Sequence, residues 1–135
     1  MKILPTLILL LFVQLALSQI TSTQKQCNNF FGDNFISDGQ QYRALLSGEE
    51  VAEFHATFYE NSHYRLAACG GRDNQTIIYN VYDSERNLIY SNKDYNNAPY
   101  WDLYFSSTTD CTIEARLDTN VSKSGIVLLL IGFKN

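Results

Sequence analysis

Few residues of this 135-residue chain could carry out acid–base or nucleophilic chemistry. It contains two imidazoles, His55 and His63, and His55 follows Glu53 by two positions. That spacing places both on one face of a strand, where an acid–base pair is conceivable but two solvent-facing polar residues are the simpler interpretation. The sequence has no Gly-x-Ser-x-Gly elbow, no His-Glu-x-x-His motif and no glycine loop for phosphate. We therefore predict that the chain is not an enzyme.

The most polar segment, Ser91 to Ala98, places side-chain oxygens at alternate positions, as calcium loops do. However, Lys93 lies inside it, no glycine occupies the sixth position and Leu103 stands where a bidentate Glu would be required. We expect a solvated turn, with no metal and no cofactor. A calcium site would need further carboxylates to fold close to this loop, from Asp83, Asp102 or Asp110.

The chain has three cysteines, Cys27, Cys69 and Cys111. Their spacings of about forty residues rule out a compact CxxC motif for zinc or redox chemistry. In an oxidising compartment one pair could close and leave one thiol over. The simple interpretations are one structural disulfide or three buried thiols, and the sequence leaves the three possible pairings open.

Tyrosine is abundant, with nine Tyr beside a single Trp. Exposed rings can stack on the apolar face of a sugar while neighbouring Asn and Asp side chains hydrogen-bond its hydroxyls. The alternative is that Tyr is simply a favourable strand residue. If the protein binds a ligand, we expect residues 90–104 to form the contact. The candidate ligand-binding residues there are Tyr90, Asn92, Asp94, Tyr95, Asn96 and Tyr100.

Residues 1–18 have the pattern of a signal peptide. Lys2 is followed by an apolar stretch from Ile3 to Leu17 and by the small-x-small cleavage signal Ala16-Leu17-Ser18. We expect the mature chain to start at Gln19, to be secreted or periplasmic, and not to insert into a membrane after cleavage.

Charge restricts the partners. Without Lys2, the mature chain has 14 acidic and 9 basic residues, which is a net charge of −5. Nucleic acids and anionic membranes both favour clustered Lys and Arg. We therefore expect neither as a partner, and an unknown protein or glycan instead.

The hydrophobic pattern predicts a β-domain over residues 40–135, preceded by a leader and plug over residues 19–39. Phe30, Phe31 and Phe35 indicate a short helix or irregular plug over one end of the core, and the turn dipeptide Asp38-Gly39 ends it, so that a strand begins near Gln41. Period-two alternation then marks half-buried strands. The clearest examples are Ala52–Phe58, Tyr64–Ala68, Tyr100–Ser106 and Cys111–Leu117. The turn residues Asp83 to Asn87 predict a hairpin, with Asn87 as the left-handed residue.

The last apolar run, Gly125 to Lys134, reads as a strand buried on both faces. Trp101, Leu103 and Phe105 should point inward from an earlier strand. About eight short strands and no long helical pattern predict an all-β protein, an antiparallel sandwich of two sheets. Ile126–Phe133 should lie in its centre.

Three segments, Phe58–Arg65, Val81–Tyr90 and Tyr100–Phe105, together with the closing Leu130–Lys134, resemble the jelly-roll pattern of bacterial pre-peptidase C-terminal domains. They also resemble small exported β-sandwich proteins of unknown function from Gram-negative bacteria. Pre-peptidase domains are appended to secreted hydrolases and are not catalytic themselves. The resemblance therefore implies a non-catalytic exported accessory or interaction domain. A carbohydrate-binding module that uses the exposed tyrosines of residues 90–104 is the alternative.

Overall fold

The computed structural model describes residue 8, residues 23–70 and residues 76–134. The predicted signal peptide therefore lies outside the described residues except for its eighth position, and residues 19–22 of the leader lie outside them too. Among the described residues, no helix combines the length and the apolar character needed to cross a bilayer.

The described residues form eight strands in two open, four-stranded antiparallel sheets, so the predicted all-β fold class is confirmed. The first sheet has the order β1-β8-β3-β6 and the second has the order β2-β7-β4-β5. The strands are β1 (Phe35–Ser47), β2 (Val51–Phe58), β3 (Ser62–Gly70), β4 (Ile77–Tyr82), β5 (Leu88–Ser91), β6 (Tyr100–Phe105), β7 (Thr109–Leu117) and β8 (Ser124–Lys134).

Only the β4–β5 connection stays within one sheet, and every other connection crosses to the facing sheet. This connectivity is jelly-roll-like. Alternate residues of both sheets point into the space between them, where Phe58, Leu129 and Ile113 are fully buried. The alternation in the sequence therefore reports the inner and outer faces correctly.

Strand β8 is an interior strand with both faces buried, as predicted. Val127, Leu129 and Ile131 belong to the core between the sheets. Leu128 and Leu130 point to the opposite side, into a second apolar cluster. An apolar outer face needs a cover, because water-exposed leucines would forfeit their burial free energy.

The N-terminal segment supplies that cover. Residues 23–28 are helical and continue into a 3₁₀ helix, Asn29–Phe31. We predicted a plug over one end of the core, but the segment packs on the outer face of the first sheet instead. Phe31 joins the second cluster, and a disulfide links Cys27 to Cys69 of β3. Cys111 is left as a buried thiol.

The turn predicted at Asp38-Gly39 is wrong. Strand β1 already begins at Phe35, and the dipeptide lies in an irregularity where the pairing with β8 shifts between Ser37 and Gln41. Gly39 has a φ of 83°, which a glycine adopts without strain. A glycine-containing bulge and a chain-reversing turn share this sequence signal, and pairing with β8 decides between them.

The β4–β5 hairpin forms where it was predicted. The Asp83 carboxylate accepts hydrogen bonds from the backbone N–H groups of Glu85 (2.9 Å) and Asn87 (2.8 Å). The left-handed residue expected at Asn87 is instead Arg86, with a φ of 68°. Two side-chain contacts offset the strain of this left-handed backbone. The Arg86 guanidinium lies 4.2 Å from the Tyr82 ring centroid and forms an ion pair with Glu114.

Candidate functional site

Two of the predicted ligand-binding residues are buried, and that part of the prediction is wrong. Tyr90 is 6% exposed and Asn92 is 0% exposed. Tyr90 belongs to the core between the sheets, since it lies on the inward face of β5. Neither side chain can contact a ligand at the surface of this structure.

Asn92 has a structural role at the start of the 3₁₀ helix Asn92–Tyr95. Its side-chain oxygen accepts a hydrogen bond from the N–H of Tyr79, and its side-chain nitrogen donates to the carbonyl groups of Ile77 and Ala98. The Asn92 amide thus fastens the polar loop to β4. Only an amide side chain provides an acceptor and two donors in one group.

Asp94, Tyr95 and Asn96 are exposed, and the Tyr95 ring contacts Tyr90 of β5 and Trp101 of β6. The Tyr95 ring centroid lies 4.5 Å from that of Trp101, which in turn stacks on Tyr90 at 5.0 Å. Trp101 is partly buried against the core, as its alternation predicted. Half of the Tyr95 surface remains exposed (51%), and the rest supports the tryptophan.

Tyr100 points to the opposite side of the first sheet. Its ring lies 5.3 Å from that of Phe30 in the N-terminal segment and 4.7 Å from the guanidinium carbon of Arg65. The six candidate residues therefore do not form one surface. Two are buried, three lie on the loop, and Tyr100 alone is on the outer face.

The outer face of β6 presents an ordered group that the sequence analysis missed. Arg65 of β3 lies directly opposite Asp102 of β6. Its guanidinium donates to both carboxylate oxygens, from Nε to Oδ1 (2.6 Å) and from Nη2 to Oδ2 (2.9 Å). A third bond runs from Nη1 to the carbonyl of Phe30 (2.8 Å), and the guanidinium also lies over the Phe35 ring. The hydrogen bond that Arg65 donates to the Asp102 carboxylate raises the pKa of Arg65.

Tyr104 completes this face. Its ring lies 4.7 Å from the imidazole of His63, its hydroxyl donates to Oδ1 of Asn61, and it is 54% exposed. The alternation of Tyr100, Asp102 and Tyr104 in the sequence is the signal that could have identified the group. We call Arg65, Tyr100, Asp102, Tyr104 and His63 together the tyrosine surface.

A cleft of about 1100 Å³ opens at the end of the sandwich where β2 turns into β3. Both imidazoles line it, together with Asp38, Asp110 and Cys111. Desolvation raises the pKa of Asp38, and burial raises the pKa of Cys111 to about 11. The Cys111 thiol is therefore protonated at neutral pH and is a poor nucleophile.

His55 makes the one contact that resembles a catalytic relay. Its Nε2 lies 3.1 Å from Oε1 of Glu53, and its Nδ1 lies 3.4 Å from the Thr112 hydroxyl. The side chains of His55 and Glu53 are 71% and 55% exposed on the outer face of the second sheet. Bulk water would screen charge developing there, so the arrangement lacks the preorganised environment that catalysis uses. Among the described residues, no three His, Cys, Asp or Glu side chains are grouped to hold a metal ion.

No family model matches the chain, and no curated protein matches it significantly. Among solved structures, it is similar to PliG of Aeromonas hydrophila, a periplasmic inhibitor of g-type lysozyme. The TM-score is 0.54, the identity is 12%, and the match covers 76% of this chain and 89% of that chain. The two proteins share a fold.

At 12% identity the likeness to PliG extends to the fold and not to individual residues. It supports the assignment of a small β-sandwich. The resemblance to pre-peptidase domains receives no support from these comparisons and stays a similarity of sequence pattern. Function must be argued from the surfaces of this chain.

Proposed function

We propose that the protein is a non-catalytic exported interaction domain that binds another protein through the tyrosine surface. The observation that carries the proposal is the pair of exposed rings, Tyr100 (41%) and Tyr104 (54%), on either side of the Arg65–Asp102 ion pair. Tyr and Arg are enriched among the residues that dominate protein–protein binding energies. Exposed rings on a rigid strand supply contact area at a small cost in side-chain entropy.

The surface is preordered. Arg65 makes three hydrogen bonds and two ring contacts, and Tyr104 is held between His63 and Asn61. Side chains that are already immobile lose less freedom on binding, so more of the contact energy appears as affinity.

The surroundings of the candidate catalytic side chains support the proposal that the domain is non-catalytic. His55 and Glu53 are exposed to solvent on the outer face of the second sheet, and burial raises the pKa of the Cys111 thiol. PliG, which shares the fold, is an inhibitor of an enzyme and so acts by binding a protein. Its periplasmic location also agrees with a secreted or periplasmic location for this chain, together with the signal pattern of residues 1–18.

The carbohydrate-binding alternative required several coplanar rings on one face. Tyr90 is buried, and Tyr100 and Tyr104 lie on the other side of β6 from Tyr95, so the tyrosines of residues 90–104 do not gather on one face. A glycan array is the direct test. Glycan binding that is lost in Tyr95→Ala and kept in Tyr104→Ala would favour a carbohydrate-binding module over a protein-binding domain.

Site-specific photo-cross-linking tests the proposal. A photoreactive phenylalanine analogue replaces Tyr104 in one sample and the equally exposed Leu88 of the second sheet in a control. Each is irradiated with proteins exported by the source organism. We expect a discrete adduct from position 104 and none from position 88.

Purified g-type lysozyme is the first defined probe, assayed for binding and for inhibition, because of the shared fold with PliG. For any partner found, Tyr100→Ala and Tyr104→Ala should each weaken binding by roughly 1–3 kcal/mol. The same adduct from both positions, or none from either, would contradict the proposed role of this surface.

A further inference from the structure

Strand β6 has a free edge whose backbone groups point away from the sheet. The N–H of Ala68 donates to the carbonyl of Pro99, and the antiparallel register continues from there without a shift to Phe105. Hydrogen-bonded and non-hydrogen-bonded pairs alternate in such a ladder. The backbone groups of Trp101 and Leu103 therefore bond β3, whereas those of Tyr100, Asp102 and Tyr104 face outward.

The other three edge strands carry features that discourage pairing. Strand β1 has an irregularity between Ser37 and Gln41, and β5 has four residues and a register shift. Strand β2 exposes Glu53 and His55 on its outer face. Bulges, short strands and charged side chains are the common protections of sheet edges.

Strand β6 has fewer of these protections. It runs for six residues without a bulge and contains no Lys, Arg or Pro. Its one charged side chain, Asp102, pairs with Arg65 but remains half exposed, so its charge can still act on a neighbouring strand. A hollow of about 500 Å³ follows its first half and is lined by residues 98–102 alone. In the described part of the chain, no residue pairs with this edge.

A second copy of the chain fits this edge poorly. An antiparallel pairing that used the outward groups of Tyr100, Asp102 and Tyr104 would set Asp102 directly opposite Asp102 of the second copy. Like charges in directly opposed positions destabilise a sheet. Each copy is also acidic, with a net charge of −4 for the full sequence. A strand with a cation opposite Asp102 and apolar residues opposite Tyr100 and Tyr104 complements the edge.

We infer that the partner binds by adding an extended segment, antiparallel, to the free edge of β6 as a fifth strand of the first sheet. The segment carries Lys or Arg opposite Asp102 and apolar side chains on either side of it. Main-chain hydrogen bonds supply affinity in this mode, and the alternate side chains supply selectivity. The inference rests on the proposed function, since it specifies how the tyrosine surface meets a protein.

The probe is the synthetic peptide acetyl-Ser-Val-Thr-Lys-Thr-Val-Ser-amide, with the same peptide carrying Glu for Lys as its control. Both are titrated into the full protein, and binding and amide exchange are followed by NMR. We expect the Lys peptide to slow exchange at Tyr100, Asp102 and Tyr104. Exchange at Trp101 and Leu103 should not change, because β3 already protects them.

Backbone variants distinguish hydrogen bonding at the edge of β6 from contacts made by its side chains. Tyr104→Pro removes an outward N–H but leaves the ladder to β3 intact, and a proline is tolerated on such an edge. Tyr104→Thr keeps the N–H but also loses the ring, so it shows the effect of the side chain alone. Tyr104→Pro should bind the Lys peptide about tenfold more weakly than Tyr104→Thr does, the effect of roughly one hydrogen bond and its geometry. Tyr100→Pro repeats the test if Tyr104→Pro does not fold.

Three results would overturn the inference. The first is that the Lys peptide does not slow amide exchange at Tyr100, Asp102 and Tyr104, and the second is that the Glu peptide binds with the same affinity as the Lys peptide. The third is that the peptide fails to bind while sedimentation shows a dimer that Tyr104→Pro abolishes. If Tyr104→Ala lowers the affinity for a cross-linked partner and Tyr104→Pro lowers it by the same factor, side chains alone make the contact. The proposed function then stands and the added strand does not.

Discussion

The side chain of Asn92 accepts a hydrogen bond of 2.8 Å from the backbone N–H of Tyr79, thirteen residues earlier in the chain. The same amide donates 2.8 Å and 3.2 Å bonds to the carbonyl groups of Ile77 and Ala98. The most polar loop of the protein is therefore anchored in the interior by Asn92, the first residue of its 3₁₀ helix. An Asn that resembled a ligand contact is a support of the fold.

Asn92→Ala should lower the free energy of unfolding by about 3 kcal/mol, since it leaves the buried N–H of Tyr79 and carbonyl of Ile77 without their partner. Asp94→Ala is the control, because Asp94 is exposed on the same loop and does not have a left-handed backbone. Urea unfolding of both variants measures the difference. Equal midpoints would show that the buried amide does not hold the loop.

Gly132→Ala should destabilise the N-terminal cover. A Cβ at this position would lie 2.7 Å and 2.8 Å from two carbons of the Phe31 ring, so the ring must move. We expect a loss of roughly 1–3 kcal/mol, the usual cost of overpacking. Gly125→Ala is the control on the same strand, because its Cβ would meet Leu117 at an ordinary 3.9 Å.

Thermal melts of both glycine variants test this expectation. In the background of Phe31→Leu, which removes the ring, the cost of Gly132→Ala should fall. An unchanged cost in that background would mean that the ring is not the obstacle.

The three cysteines should differ in reactivity. With Cys27 bonded to Cys69 and Cys111 buried, the native protein should show no thiol reactive with a disulfide reagent at neutral pH. Burial raises the pKa of Cys111 to about 11, so little thiolate is present. Denaturation without reductant should reveal one thiol, and Cys111→Ser should show none. Two thiols in the denatured Cys111→Ser protein would exclude the disulfide.

Asp83 should make stability depend on acid pH. Hydrogen bonds from the backbone and side chain of Asn87 lower the pKa of Asp83 below its ordinary 3.8. A lowered folded-state pKa stabilises the fold above the unfolded value, and the contribution is lost as pH falls through the folded value. Asp83→Ala should therefore melt at a lower temperature than the original protein at neutral pH.

The difference caused by Asp83→Ala should narrow as the pH falls from 3.8 through the lower pKa of the folded protein, because the unfolded carboxyl takes up its proton first and the native one follows. Asp94→Ala, which removes an exposed carboxylate from the neighbouring loop, is the control. A gap that stays constant across this range would show that the charge of Asp83 is not responsible.

The strands were predictable because their signal is local. Period-two alternation located the inner face of β6, and the turn residues 83–87 located the hairpin after β4. The apolar run of β8 required a cover on each side. The identity of that cover was not predictable in detail. Phe30, Phe31 and Phe35 indicated burial, but only the pairing of β8 with β1 and β3 leaves an outer apolar face for them.

The candidate site was predicted less well, because distant backbone groups decide which polar side chains turn inward. Asn92 is polar by type, yet the free N–H of Tyr79 and carbonyl of Ile77 draw it into the interior. Tyr100 and Tyr95 are close in sequence but lie on opposite sides of β6. Tyr100 points to the outer face, whereas the loop places Tyr95 on Trp101, which points the other way. Arg65 gave no signal of its own, because its role depends on register with Asp102.

Trp101 and Tyr95 should behave as a coupled pair. Trp101 packs inward against the core and stacks on Tyr90, so Trp101→Ala should cost roughly 3 kcal/mol of stability. Tyr95→Ala should cost about 1 kcal/mol, because half of its ring surface rests on the tryptophan. The double variant should lose about 1 kcal/mol less than the sum of the two changes, since the ring pair can be lost only once.

Tyr100→Ala is the control for this cycle. Its ring contacts Phe30 and Arg65 on the outer face, so it shares no partner with Tyr95, and the two losses should add. Urea unfolding of the five variants measures both cycles. If Tyr95 coupled to Tyr100 as strongly as to Trp101, the two tyrosines would have to share a surface, and the separation of the loop from the outer face would be wrong.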